Sequence, residues 1–164
     1  MKNLQITAYM QHFIRQQVMP GDICIDATMG NGNDTVLLSR LAGENGRVLA
    51  FDIQKQALEH TEERLKKDDC PENYQLFLDS HENMAAYAEA ETVSCITFNL
   101  GYLPGGDHSV ATRADSSKRA VESGLTLLKK GGLMTICIYS GGDTGFQERD
   151  AMLSFIRQLD PHKY

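Results

Sequence analysis

Asp26-Ala27-Thr28-Met29-Gly30-Asn31-Gly32-Asn33-Asp34 packs acids, glycines and asparagines into nine consecutive residues behind the apolar run Ile23-Cys24-Ile25. Gly30 and Gly32 let a backbone approach a ligand with no Cβ in the way, and Asn31 and Asn33 tolerate left-handed conformations. Asp52 closes a second apolar run, Val48-Leu49-Ala50-Phe51, with Gln54 just beyond it. A carboxylate in that place accepts both hydroxyls of a ribose. Leu78-Asp79-Ser80-His81 follows a third run and offers short polar side chains to an adenine edge. Asn99-Leu100-Gly101-Tyr102-Leu103-Pro104 follows a fourth. Any one of these is weak evidence, because a strand-ending Asp is often a helix cap and a Gly-x-Gly turn often a tight loop. Their recurrence at consecutive strand ends carries the reading.

The elements needed to hold them alternate along the chain. Apolar residues at Leu4, Ala8, Phe13, Ile14 and Val18 predict an amphipathic helix over the first 20 residues, stopped by Pro20-Gly21-Asp22. Strands are expected at 23–28, 47–53, 74–79, 94–100 and 133–139, and helices at 34–41, 54–67, 82–90, 112–128 and 146–159. Lys129 and Lys130 suit the C-terminus of the fourth of these helices, with Gly131-Gly132 ending it. Apolar strands alternating with helices imply a doubly wound α/β fold around a mainly parallel sheet, in one domain spanning 1–164 with its core over 21–164. Ligands of such folds bind at the carboxyl ends of the strands, where all four constellations fall.

The glycine pattern separates two ribose cofactors. A dinucleotide site wants G-x-G-x-x-G so that a pyrophosphate can sit on a helix N-terminus, but Thr35 stands at the third glycine position. Asp26 at the head of the turn also opposes a pyrophosphate. It suits a cationic amino-acid tail, and S-adenosylmethionine has one, with a ribose for Asp52 and an adenine for Asp79, Ser80 and His81.

Composition narrows the partners. Sixteen Lys+Arg against 22 Asp+Glu in 164 residues leave a net charge of −6, so a nucleic-acid substrate requires a local basic patch. Arg113, Lys118, Arg119, Lys129 and Lys130 follow the fourth constellation and are the candidates. No apolar run suggests a membrane span or a signal peptide, and the expected location is cytoplasmic. The four cysteines are widely spaced, with no C-x-x-C pair, and read as reduced core residues; no metal site is expected.

Residues 25–34 together with Asn99-Leu100-Gly101-Tyr102-Leu103-Pro104-Gly105-Gly106-Asp107 resemble the rRNA methylase family of class I S-adenosylmethionine-dependent methyltransferases. The likeness runs through nearly the whole chain, with Thr28 where a glycine is usual. It implies a Rossmann-like methyltransferase sheet and a cofactor set of Asp26, Gly30, Asn31, Gly32, Asn33, Asp52, Gln54, Asp79, Ser80 and His81. Members are assigned as tRNA methyltransferases that convert 5-aminomethyl-2-thiouridine at the wobble position to its methylaminomethyl form, so the implied partner is a tRNA anticodon loop. Class I enzymes continue into an antiparallel hairpin, whereas this sequence stops at Tyr164. The fifth strand is therefore expected to have an open edge, which invites pairing with another chain, a homodimer included. Gly141-Gly142-Asp143-Thr144-Gly145 stands where many members have a His-containing loop.

Methyl transfer from a sulfonium is an in-line displacement, so the protein has mainly to align an unprotonated nucleophile and exclude water. Asn99 is the expected catalytic residue, its side chain accepting an amine N–H, with Tyr102 stacking on the flipped base. Leu100, Gly101, Pro104, Arg113 and Lys118 complete the expected substrate side. Competing readings are an rRNA or small-molecule substrate, a cofactor-binding domain without catalysis and, last, a nicotinamide oxidoreductase. The Asn99–Tyr102 loop is also loosely similar to the Asn-Pro-Pro-Tyr loop of adenine-N6 methyltransferases, without its prolines.

Overall fold

The computed structural model describes residues 5–101, 114–139 and 145–164. Its elements run α1 (Ile6–Gln17), β1 (Ile23–Asp26), α2 (Asn33–Ala42), β2 (Arg47–Asp52), α3 (Lys55–Lys67), β3 (Tyr74–Leu78), a 3-10 helix (His81–Ala86), β4 (Val93–Leu100), α4 (Ala114–Leu127), β5 (Leu128–Ile138) and α5 (Gly145–Arg157). The strands form one sheet in the order β3-β2-β1-β4-β5, with every pairing parallel. This is the expected doubly wound α/β fold. Among the described residues no helix is long and apolar enough to cross a membrane.

Side chains of a strand alternate between faces, so a sheet covered on both sides needs strands that are apolar throughout. Cys24, Val48 and Cys95 point to one face, where they meet Ile14 of α1 and Leu37, Leu38 and Ala42 of α2. Their neighbours Ile25, Leu49 and Ile96 point to the other, against Val121 of α4, Met152 of α5 and Met84. Phe51, Phe77 and Tyr87 pack as a triangle of rings, with centroids 5.1, 5.3 and 4.4 Å apart. Burial pushes the Cys24 thiol up to about 12, so it stays a protonated apolar group.

Two expectations are corrected. The predicted helix over 82–90 is a short 3-10 turn ending at Ala86. The larger correction is at the fourth long helix, which stops at Leu127 and passes directly into β5. Lys129–Gly132 belong to an irregular start of that strand, because the pairing steps from Val93/Leu128 to Cys95/Leu133. Gly131 takes the left-handed conformation there (φ +76°), and Gln17 of α1 donates to its carbonyl at 3.1 Å. The glycine pair therefore shapes a bulge. Lys129 and Lys130 consequently lie at the amino end of β5, across the sheet from the strands' carboxyl ends, and Lys129 pairs with Asp22 at 3.0 Å.

Candidate functional site

In a parallel sheet the connection after each strand starts at the same end, so the residues after β1, β2, β3 and β4 converge. They line a cleft of about 1220 Å³ whose walls include Asp26, Gly30, Asn31, Asn33, Asp52, Gln54, Asp79, Ser80, His81, Asn99 and Gly101. Pockets for one small ligand are typically about 300–1,000 Å³, so the cleft is ample for a nucleoside-sized ligand.

The glycine turn is built on positive φ angles, +52° at Gly30 and +82° at Gly32, which no β-carbon accepts without strain. Gly32 starts α2, and a Cβ there would stand 3.1 Å from the Cα and Oγ1 of Thr61, which is buried on α3. Thr61 Oγ1 also donates to the Gly30 carbonyl at 3.1 Å. A left-handed conformation costs a non-glycine residue roughly 1–2 kcal/mol. Gly32→Ala is therefore expected to lower the melting temperature by about 5 °C, read by calorimetry.

Asp52 joins β2 to that turn. One of its carboxylate oxygens accepts from the Gly30 N–H at 3.1 Å and the other from the Gln54 N–H at 3.0 Å. A carboxylate has about four acceptor positions, so Asp52 retains capacity for a further donor from the cleft. Burial raises its pKa, against the lowering effect of these backbone donors. At the end of β3, Asp79 accepts from Tyr87 Oη at 2.7 Å and from Asn83 Nδ2 at 2.8 Å. The Tyr87 and Asn83 bonds hold its pKa below the usual carboxylate range. Ile53, just beyond β2, is exposed and lines the cleft, and Leu78 is exposed at the end of β3. His81 is buried, with Nδ1 3.1 Å from the Ala27 carbonyl, a contact made when Nδ1 carries the proton. Burial lowers its pKa, so the ring is neutral.

Asp26 lies beneath the turn with no exposed surface. Its oxygens accept from the Thr28 N–H at 3.2 Å and from Thr35 Oγ1 at 2.6 Å, both within the turn and the helix it starts. Thr35, which interrupts the dinucleotide pattern, is thus the partner of the buried acid. Burial first, and then the nearby Asp34 carboxylate, push Asp26 up to about 7. A folded-state value above the unfolded one near 3.8 means that the native protein holds a proton the unfolded chain releases. This contribution to stability is full below about pH 4 and is lost as pH rises through about 7. Asp26→Asn carries no such proton. The melting temperature of the variant is expected to gain on the parent by several degrees between pH 5 and pH 8, and parallel pH profiles would contradict the assignment.

On the β4 side, the Asn99 backbone N–H donates to Thr28 Oγ1 at 2.7 Å, which gives the Thr28 side chain a task no glycine could perform. Asn99 Nδ2 donates to Asp34 Oδ2 at 2.8 Å, and Asp34 Oδ1 accepts from Gln11 Nε2 at 3.2 Å. Tyr139, at the end of β5 and 42% exposed, brings its hydroxyl to 3.5 Å from Asn99 Oδ1. Gln11, Asp34 and Tyr139 all line the cleft. Sequence reasoning did not assign them roles. Asp34 sat inside the first motif, but Gln11 and Tyr139 carry no local signal and arrive only through the packing of α1 and β5.

The other expected substrate residues divide. Leu100 is corrected: it is fully buried in the core, its carbonyl accepts from the Tyr139 N–H at 3.0 Å, and it does not line the cleft. Gly101 lines the cleft, and Lys118 is half-buried on α4, two residues beyond the cleft-lining Ser116. Arg119 pairs with Glu82 at 2.9 Å. Tyr102, Pro104, Arg113 and the 140–144 loop lie outside the described residues. The basic patch is corrected: Lys129 and Lys130 lie at the wrong end of the sheet, whereas Arg15, Arg40 and Arg64 line extensions of the cleft.

This sheet order, the glycine turn and the acid ending β2, with Thr35 in place of a third glycine, fit the class I S-adenosylmethionine-dependent methyltransferases, and S-adenosylmethionine is the cofactor that the donor set fits. A family model described as "Putative rRNA methylase" matches residues 48–164, and the chain belongs to that family. It is 36% identical over 157 residues to the chloroplastic tRNA (mnm(5)s(2)U34)-methyltransferase of Arabidopsis thaliana, covering 88% of this chain and 56% of that protein. The chain spans about half the length of the curated relatives it matches. Among solved structures, a "putative rRNA-methylase" from Clostridium thermocellum superposes with a TM-score of 0.94 at 41% identity, covering 99% of this chain and 87% of that one. A "putative methyltransferase" from Streptococcus mutans in complex with SAH gives 0.86 at 38% identity, covering 97% and 85%.

Proposed function

We propose that the protein methylates the primary amine of 5-aminomethyl-(2-thio)uridine at the tRNA wobble position. The observation that carries this reading is the orientation of Asn99. Its amide nitrogen is committed to Asp34, so its carbonyl oxygen is the group left to accept an N–H, at the strand end next to the cofactor half of the cleft. The similarity to the Arabidopsis tRNA methyltransferase supports the same substrate.

In this reading Asp52 holds the ribose hydroxyls, Asp79 and Ser80 meet the adenine edge, and His81 supports the floor beside Ala27. Gly30, Asn31, Gly32 and Asn33 admit the methionine part above the buried Asp26 carboxyl, and Gln54 flanks the ribose. Bound there, S-adenosylmethionine supplies a methyl group on a sulfonium: the amine lone pair forms the N–C bond, and the S–C electron pair stays on sulfur as a neutral thioether. A free alkylammonium has no lone pair, so the amine gives one proton to solvent before it attacks. Asn99 Oδ1 then holds one remaining N–H and leaves the lone pair free to face the methyl group. Tyr102 and Pro104 are assigned to the base, Gly101 contributes backbone to the substrate wall, and Arg113 and Lys118 are assigned to the tRNA backbone. Arg15 and Arg40 place positive charge along the groove, and Arg64 is paired there with Asp68 at 3.8 Å.

The test is transfer from labelled S-adenosylmethionine to tRNA carrying the unmethylated aminomethyl wobble uridine, with calorimetry of cofactor binding on the same sample. Label in methylaminomethyl-thiouridine after nuclease digestion is the expected result. Cofactor binding without label in that nucleoside would assign the methyltransferase to another substrate.

A further inference from the structure

The polarity of the Asn99 side chain is imposed by its neighbours. An amide presents a donor on one side and an acceptor on the other, and the two ends have nearly the same shape. A carboxylate only accepts. Asp34, 2.8 Å from the Asn99 amide, therefore admits the NH₂ end alone and turns Oδ1 away from itself. The second oxygen of Asp34 is tied to Gln11 of α1 at 3.2 Å, which limits rotation of the carboxylate. On the far side, Tyr139 Oη at 3.5 Å from Oδ1 is a donor, consistent with an oxygen there. Gln11, Asp34, Asn99 and Tyr139 thus form a polar chain across α1, α2, β4 and β5 at one end of the cleft.

We propose that Asp34 is a positioning residue that sets Asn99 as an N–H acceptor and so selects a nucleophile that has a hydrogen to donate while keeping a lone pair. This rests on the amine-methylating function proposed above. An inverted Asn99 would point two N–H donors at the substrate, compete for the amine lone pair and block its attack. The role differs from a purely structural one because it depends on which partner donates, and donor and acceptor can be exchanged.

The experiment compares the parent, Asp34→Ala, Asn99→Asp and the double variant Asp34→Asn/Asn99→Asp. Readouts are single-turnover methyl transfer to tRNA bearing 5-aminomethyl-2-thiouridine, cofactor affinity by calorimetry, and the side-chain NH₂ resonances of Asn99. Asp34→Ala is expected to slow transfer at least tenfold, to leave cofactor affinity within about threefold, and to move the Asn99 NH₂ resonances upfield as the carboxylate partner is lost. Asn99→Asp sets two carboxylates against each other and is expected to be equally slow. In the double variant the amide introduced on α2 donates to the carboxylate introduced at the end of β4. The other oxygen of that carboxylate again accepts an N–H, and transfer is expected to return to within a few-fold of the parent. A double variant no faster than Asn99→Asp would overturn the proposal, as would an unchanged rate in Asp34→Ala. A loss of cofactor affinity in Asp34→Ala that matches its loss of rate would overturn it too, because Asp34 would then be a cofactor ligand. A parent that binds cofactor yet transfers nothing to this tRNA would remove the amine-methylating reading itself, and the proposal with it.

Discussion

Asn99→Ala is expected to reduce methyl transfer to the aminomethyl wobble uridine by about 100-fold while cofactor affinity stays within about threefold. The size is that of removing one preorganised polar contact to the reacting group, about 10²–10³ in rate. Cofactor binding is spared because the anchor between β4 and the glycine turn is the Asn99 backbone N–H on Thr28 Oγ1, which alanine keeps. Asp34 loses one donor but keeps Gln11 and is half-buried, so water can replace the amide. Single-turnover rates with calorimetry on the same preparation check both halves. Full turnover in the variant would remove Asn99 from the mechanism.

Asp52→Ala is expected to act on the opposite quantity, weakening S-adenosylmethionine binding by about 100-fold, or roughly 2.8 kcal/mol. Hydrogen bonds to a charged group contribute about 1.5–3 kcal/mol each, and the variant removes the carboxylate proposed to hold two ribose hydroxyls. It also releases the Gly30 and Gln54 N–H groups, which the carboxylate holds at 3.1 and 3.0 Å, so the turn loosens where the ligand must approach. With saturating cofactor the transfer rate is expected to recover most of its parent value, because Asp52 belongs to the β2 side and Asn99 to β4. Titration calorimetry measures the first effect and cofactor-saturated turnover the second.

Much of the fold was legible because its signals are local. Each strand is a short apolar run closed by polar or glycine residues, and the acids at Asp26, Asp52 and Asp79 mark strand ends that any parallel sheet gathers on one edge. The error at Lys129–Gly132 has a physical origin: two lysines followed by two glycines satisfy helix-ending chemistry, and they satisfy a left-handed strand bulge equally well. Only pairing with β4 and the Gln17 contact from α1 decide between them. The site was legible on the cofactor side for the same reason as the strands. Its nucleophile side depends on Gln11, Asp34 and Tyr139 meeting around Asn99 from four different elements, and no spacing rule connects them. Likewise, the partners of Asp26 are the backbone of Thr28 and the hydroxyl of Thr35, so its full burial beneath the turn could not be read from its place in the motif.

The bond between the Asn99 N–H and Thr28 Oγ1 spans 71 residues of chain. β1, the middle strand of the sheet, has to wait for two helix–strand units to be made before β4 can dock beside it. Parallel pairings of this span are slow to form, because chain entropy is surrendered before the contacts that offset it exist. During refolding the turn of residues 26–34 is completed only when the two halves join, because the Ala27 N–H donates to the Thr97 carbonyl at 2.9 Å and the Asn99 N–H to Thr28 Oγ1 at 2.7 Å. The ability to hold the cofactor and the ability to use it should therefore appear together, once β4 has docked beside β1.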